Sequence, residues 1–228
     1  MPNLLKKKTS FFSLTPELCW KISSDLVSYE EALLFMEKYV ENIHKKKKNS
    51  CIWLLEHPPL YTYGTGSNFQ EDFTLPPHEL PFPLHETGRG GRVTYHGPGQ
   101  RIAYCMIDLK TLSPLPDLKA FVNLLETWII ETLKEIHIEA FRQKGLIGIW
   151  VKGQDEKILK IAALGIRVRH WISFHGISLN IDPDLSHYTP IIPCGIQSFG
   201  VTSLRELGFK GNIQDVDVLL KKTCPFKA

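Results

Sequence analysis

The amino-acid sequence predicts an α+β fold, a single domain with a mixed or antiparallel sheet flanked by helices. Three observations carry this expectation. Helical periodicities at residues 28–44 and 117–136 alternate with short apolar runs of strand length at 51–56 and 102–109. Strand-like runs then follow at 145–151, 158–170 and 171–181 with a polar turn at 152–157, the pattern of an antiparallel meander. Finally, 228 residues, 43% of them hydrophobic, suffice for one well-buried core, so one domain over residues 1–228 is expected.

Composition narrows the function classes. Lys+Arg 27 against Asp+Glu 24 gives a net charge of +3, too small to argue for nucleic acid. No apolar run approaches the ~20 residues of a membrane span, and Lys6, Lys7 and Lys8 are followed by Pro16 and Glu17, not by a secretory cleavage site. Five widely spread cysteines with no paired spacing fit free thiols in a reducing compartment. A cytoplasmic protein that binds neither membrane nor nucleic acid is therefore expected.

In chain order, Ser28 and Glu31 form a capping box for a helix whose apolar face is Leu33, Met36, Val40 and Ile43. Lys45, Lys46, Lys47 and Lys48 follow, where positive charge suits a helix C-terminus or an acidic partner. Residues 51–56 read as a buried strand that His57-Pro58-Pro59 ends, and 64–86, with four prolines, as a long irregular loop. Asp117 caps a helix with Leu118, Phe121, Val122, Leu125, Trp128, Ile129 and Ile136 on one face. Ser203 with Glu206 signals a short helix, and residues 212–222 a last one.

Chemistry concentrates in three places. Residues 88–100, GRGGRVTYHGPGQ, bracket a strand-like run at 92–96 with five glycines, so a ligand or a neighbouring strand lies close against this backbone. A phosphate cradle fails there: GxxxxGK[ST] is absent, and Gly97-Pro98-Gly99 blocks the helix that a GxGxxG loop must enter. Lys160 shares strand parity with Ile158, Ala162, Leu164, Ile166 and Val168, an ammonium on an apolar face unless a β-bulge reverses the parity. Burial lowers a lysine pKa and creates a base; the alternative is a strand-end lysine that snorkels to water. Cys194, in a Pro-Cys-Gly turn, is the cysteine best placed for nucleophilic work, with Lys160, His96 or His175 as its base. His175, Gly176 and Asn180 echo the His96-Gly97 pair, as two polar walls of one site or as hydrogen-bonded core residues. His96, His175 and Cys194 lack the local spacing of a zinc site, so no metal is expected.

Together, RGGRVTYHGPGQ from Arg89, KIAALGIRVRHWISFHGISLN from Lys160 and PCGI from Pro193 resemble the lipoyl(octanoyl) transferases. EHPPLYTYG from Glu56 and GLIGIWV from Gly145 extend the resemblance, so the best-supported core is 54–202. The resemblance implies a fold similar to the catalytic domain of lipoate and biotin protein ligases. It also implies an enzyme that moves an octanoyl group from octanoyl-acyl carrier protein to a lysine of a lipoyl domain. The acceptors would be lipoyl domains of 2-oxoacid dehydrogenases and the glycine cleavage H protein. Cys194 would carry the acyl-thioester and Lys160 would assist it, with no cofactor beyond the phosphopantetheine of the donor. Substrate contacts would come from Arg89, Gly90, Gly91, Arg92, Val93, Thr94, Tyr95 and His96, from Ala163, Leu164 and Gly165, and from Gly176, Ile177 and Ser178, with His175 and Asn180 as secondary candidates. Arg101 and Thr65 depart from the family pattern, which places contacts with partner proteins in question there. The rival readings are an ATP-dependent lipoate-protein ligase on the same fold and a non-catalytic scaffold that binds acylated carrier protein.

Overall fold

The computed structural model describes residues 9–15, 18–153, 155–192 and 199–226. Among these, one sheet of nine strands forms the middle layer. Its strands are β1 (Thr9–Thr15), β2 (Leu18–Ser23), β3 (Ser50–Leu55), β7 (Gln100–Met106), β8 (Ala140–Gln143), β9 (Leu146–Lys152), β10 (Ile158–Arg169), β11 (Ile172–Asn180) and β12 (Gly200–Val201). They run in the order β1-β2-β3-β7-β11-β10-β9-β8, with β12 added beside β10. The expected meander is present, since β8 to β11 pair antiparallel in sequence. The sheet is nonetheless mixed, because β2 pairs parallel to β3 and β12 parallel to β10. A second sheet, β5-β4-β6, joins β4 (Leu60–Tyr63), β5 (Leu84–Glu86) and β6 (Thr94–His96).

Side-chain alternation assigns the two faces of the large sheet. Ile52 and Leu54 of β3 and Ala103 and Cys105 of β7 share one core with helix α3 (Leu118–Lys134) and helix α4 (Ile213–Thr223). Cys51, Trp53, Leu55, Ile102, Tyr104 and Met106 point the other way, against helix α1 (Tyr29–His44). Sequence cues explain the helix starts. The Ser28 side chain accepts from the Glu31 amide, Asp117 accepts from the Lys119 and Ala120 amides, and Asn212 with Asp215 closes a reciprocal capping box. The face of α1 includes Met36, Val40 and Ile43 as expected, with Ala32 buried where Leu33 is only half-buried.

Several expectations need correction. Helix α3 stops at Lys134, so Ile136 lies beyond it, and Leu118 is exposed while Glu126, Thr132 and Leu133 are buried. Ser203 does accept from the Glu206 amide at 3.3 Å, but residues 204–208 form turns, not a helix. The long loop at 64–86 contains helix α2 (Phe69–Asp72), a 3-10 turn at Pro77–Glu79 and strand β5. Arg101, a departure from the family pattern, is an internal residue. It is 3% exposed and forks onto Asp217 of α4, with Nε and Nη2 donating at 2.7 and 2.6 Å.

Candidate active site

A cavity of about 240 Å³ lies on the α1 face of the large sheet, under the β6 strand and the loop at 88–93. Its lining is largely apolar, with Val93, Ile102, Leu146, Ile147, Leu164, Ile177 and Val201. Lys160 lines it too, as do His96, His175, Ser178 and Asn180.

Lys160 lines the cavity for a different geometric reason from the one its strand parity suggests. The β9–β10 register shifts between Lys160 and Ala162, so β10 carries a bulge there. Leu159 and Ile161 pack into the α3/α4 core before the bulge, and Ala162, Leu164, Ile166 and Val168 after it. Lys160 therefore faces away from that core, opposite Trp150, whose neighbours Ile149 and Val151 belong to the core. The lysine is 7% exposed, its Nζ donates to the Ile147 carbonyl at 3.2 Å, and it sits 5.3 Å from the Trp150 ring centre. Gly148 makes the room: at φ 133°, a Cβ there would lie 2.5 Å from Lys160 Cε.

The glycine-rich loop is tied to β10 by the Gly90 amide and to β4 by Arg89. This buried guanidinium donates to the carbonyl and hydroxyl oxygens of Thr62 at 3.0 and 2.8 Å, and to the Gly90 and Arg92 carbonyls at 3.0 Å each. The loop can lie so close because residue 165 is glycine; a Cβ there would meet Arg89 Cδ at 2.6 Å and the Gly90 carbonyl oxygen at 2.9 Å. The Gly90 amide donates to the Ile166 carbonyl at 2.9 Å, so it is committed to the fold and is no oxyanion donor. Arg92 pairs with Asp72 and Glu71 of α2, at 2.5 and 2.7 Å.

Of the expected contact residues, Arg89, Gly91, Arg92, Val93, Thr94 and His96 line the cavity, together with Ala163, Leu164, Gly165, Gly176, Ile177 and Ser178. Gly90 and Tyr95 do not. Tyr95 turns into the aromatic cluster behind β6, where its hydroxyl meets His187 Nδ1 at 2.8 Å and its ring packs with Tyr61 and Tyr188. Sequence reasoning missed Tyr29, Tyr104 and Tyr188, which also line the cavity. Nothing local marks them, since they come from a helix start, a central strand and a 3-10 turn. Thr62 lies within the EHPPLYTYG motif, yet its role follows only from its contact with Arg89.

A chain of hydrogen bonds crosses the floor. His96 Nδ1 donates to Gln100 Oε1 at 2.6 Å, which leaves Nε2 to accept from the Thr62 hydroxyl at 3.2 Å. Gln100 Nε2 donates to Asn180 Oδ1, and Asn180 Nδ2 to the Thr202 carbonyl. The Thr202 amide then donates to the Lys160 carbonyl at 2.9 Å. Burial, then the neighbouring His57, holds the His96 pKa down at about 3, so its ring is neutral with both nitrogens engaged. His175, at φ 60°, is swung onto the cavity face, and burial together with Arg89 and Arg167 lowers its pKa to about 3. It pairs with Ile166, six strand positions from Lys160, or ~20 Å along β10. Of the three bases expected, Lys160 alone stands at the β12 end of the cavity.

Cys194, with Pro193 and Gly195, lies outside the described residues. The described chain before it is held to α2, and the described chain after it to the β12 end of the cavity. The Ile192 amide donates to the Asp72 carbonyl at 2.7 Å. Beyond it, the Phe199 ring packs 5.1 Å from Trp150, and Gly200 and Val201 pair with Leu159 and Lys160. Among the described residues, no group of three or more His, Cys, Asp or Glu side chains is arranged to hold a metal, and no helix is long and apolar enough to cross a membrane.

Comparison with known proteins adds the family. Residues 28–224 match the lipoyl protein ligase A/B catalytic domain. An octanoyltransferase of Bartonella bacilliformis is 53% identical over 215 residues, covering 91% of this chain and 87% of the relative. One from Brucella melitensis is 50% identical over 215 residues, covering 91% and 79%. Among solved structures, a bipartite lipoate protein ligase from Thermoplasma acidophilum superposes with a TM-score of 0.64 at 15% identity, covering 91% of this chain and 81% of that one. A P. falciparum protein in complex with lipoate gives 0.65 at 15% identity, covering 92% and 61%. These likenesses establish the same fold, and the sequence relatives establish the kinship: the chain belongs to the lipoyl protein ligase A/B catalytic-domain family, alongside its octanoyltransferases.

Proposed function

We propose that the protein transfers an octanoyl group from octanoyl-acyl carrier protein to a lysine of a lipoyl domain, through a thioester on Cys194 and without a further cofactor. The observation that carries this reading is the largely apolar cavity lined by buried Lys160, with the chain that follows Cys194 returning beside that lysine at Gly200 and Val201. Two octanoyltransferase relatives at about half identity support the reaction class.

In this mechanism the Cys194 sulfur attacks the carbonyl carbon of the incoming thioester, and the phosphopantetheine thiolate leaves with a proton. Exchange of one thioester for another is near balance, so no nucleotide is consumed. The amine of the acceptor lysine then attacks the Cys194 thioester, an amide forms, and the cysteine is released. Lys160 accepts and returns the protons of these steps. Arg89 acts by holding the wall of the cavity, and His96, neutral and doubly hydrogen-bonded, acts by holding its floor. Burial of the acyl chain at ~0.8 kcal/mol per methylene contributes on the order of 5 kcal/mol to binding, while one methylene changes it by only ~1–3 kcal/mol. Chain-length selection is therefore real but leaky.

Intact-mass measurement after incubation with octanoyl-acyl carrier protein tests the mechanism. The expected result is one octanoyl adduct that Cys194→Ser abolishes. Transfer that requires ATP and tolerates Cys194→Ala would refute it in favour of a ligase. Protein substrate binding with no acyl transfer would favour a scaffold.

A further inference from the structure

A second thiol site lies away from the cavity, between the sheet and α1. Cys19 of β2 and Cys51 of β3 are directly opposite one another in a parallel pair, and both point to the α1 face. Neighbouring strands run ~4.8 Å apart, inside the ~4.4–6.8 Å Cα separation that a disulfide spans. Both cysteines are free. Their sulfurs are hydrogen-bonded to each other and to the Tyr39 hydroxyl of α1. Lys48 stands over the Tyr39 ring at 5.7 Å, and Lys21 lies on the same face, 3.3 Å from the Trp53 ring centre.

The cluster treats its two sulfurs unequally. Cys51 is fully buried and keeps its proton, its pKa pushed up by the hydrogen bond to Cys19 and by desolvation. Cys19 is partly exposed, and its pKa falls to about 6 because the Cys51 and Tyr39 side chains beside it and the charge of Lys48 favour the thiolate, against the opposing effect of burial. An accessible sulfur beside a lysine, a phenol and a second thiol has the surroundings of a reactive cysteine with a resolving partner. The acyl-transfer mechanism uses none of these groups.

We propose that Cys19 is a peroxide-reactive thiol and that Cys51 resolves its sulfenic acid into a cross-strand disulfide. The Cys19 thiolate attacks one peroxide oxygen, the O–O bond breaks, and the leaving hydroxide takes a proton to become water. The Cys51 sulfur then attacks Cys19, the S–S bond forms as the S–O bond breaks, and a second water leaves with the Cys51 proton. Two thiols give up two electrons and two protons, and the peroxide is reduced to two waters.

The test uses full-length folded protein carrying Cys194→Ser, which removes the acyl-accepting thiol from the readout. After treatment with hydrogen peroxide, peptide mapping without reductant should find Cys19 linked to Cys51. The Cys51→Ala variant should instead accumulate a Cys19 sulfenic acid that dimedone traps. Oxidation of Cys19 should run at least tenfold faster than that of the buried Cys105 and Cys224, and Tyr39→Phe should slow it several-fold. Should Cys51→Ala fail to fold, the linked peptide pair from the chain that retains both thiols decides the question. Cys19 and Cys51 still reduced under excess peroxide, or oxidised no faster than Cys105 and Cys224, would overturn the proposal.

Discussion

Three buried histidines make the native state sensitive to mild acid. His57 donates from Nδ1 to the Val27 carbonyl at 2.6 Å and accepts from the Tyr104 hydroxyl at 2.7 Å, and burial lowers its pKa to about 4. His96 and His175 are held at about 3, chiefly by burial. In the unfolded chain all three regain an ordinary value of ~6.5. Because each native pKa is depressed, the unfolded state binds more protons, and stability is lost as pH falls from ~6.5 toward the native values. At pH 5 each unfolded ring is almost fully protonated while each native ring is not, which costs about 2 kcal/mol per histidine relative to neutral pH. The three together remove about 6 kcal/mol, comparable with the whole stability of many domains at ~5–15 kcal/mol. Urea unfolding at pH 7, 6 and 5 reads this directly. With a denaturant slope of ~3 kcal/mol per molar, the midpoint should drop by about 2 M from pH 7 to pH 5. Replacing any one of the three by Gln should flatten the pH dependence by about a third. A midpoint that stays constant over this range would show that the rings are not buried in the neutral form.

Other substitutions separate the site from its scaffold. Gly148→Ala places a Cβ 2.5 Å from Lys160 Cε at a φ of 133°, and should lower kcat at least tenfold with little change in KM, checked by steady-state transfer assays. Gly165→Val drives a side chain into Arg89 and the Gly90 carbonyl; formation of the octanoyl adduct should fall more than thermal stability, compared by intact mass and calorimetry. Arg101→Ala leaves Asp217 buried without its guanidinium, and should cost about 3–5 kcal/mol in chemical denaturation, while Arg101→Met with Asp217→Leu should recover most of it. Asn212→Ala removes the capping box of α4 and should cost about 1 kcal/mol in the same assay.

What was legible in the sequence follows the range of the interactions involved. Caps act across three residues, so Ser28 and Asp117 announced their helices correctly, while the Asn212 capping box emerged only in the structure. Ser203 and Glu206 gave the same local signal and the Glu206 amide does bond to Ser203, but the segment that continues β12 past β10 runs into turns. The strands β1 and β2 went unread, because β2 is made a strand by parallel pairing with β3, and parallel partners lie far apart in sequence. Lys160 was named from an apolar parity that the β10 bulge reverses, and it reaches the cavity because of that reversal. Arg101, noted as a departure from the family pattern, is an internal fork onto α4, a pairing across more than a hundred residues that no local pattern reveals.

The sequence by itself determined the family, through long ordered motifs around residues 89–100, 160–180 and 193–196, and the helices, through periodicity and caps. The tertiary structure alone decided how those motifs are used. Arg89 clips the glycine-rich loop onto Thr62 of β4, His96 is committed at both nitrogens, Tyr95 turns away, and Tyr29, Tyr104 and Tyr188 arrive from distant elements. The physical reason is that motif identity is a property of neighbouring residues. Burial, tautomer and the direction of a side chain depend on what the fold packs against it, and those neighbours are set by strand register and close backbone contact across the whole chain.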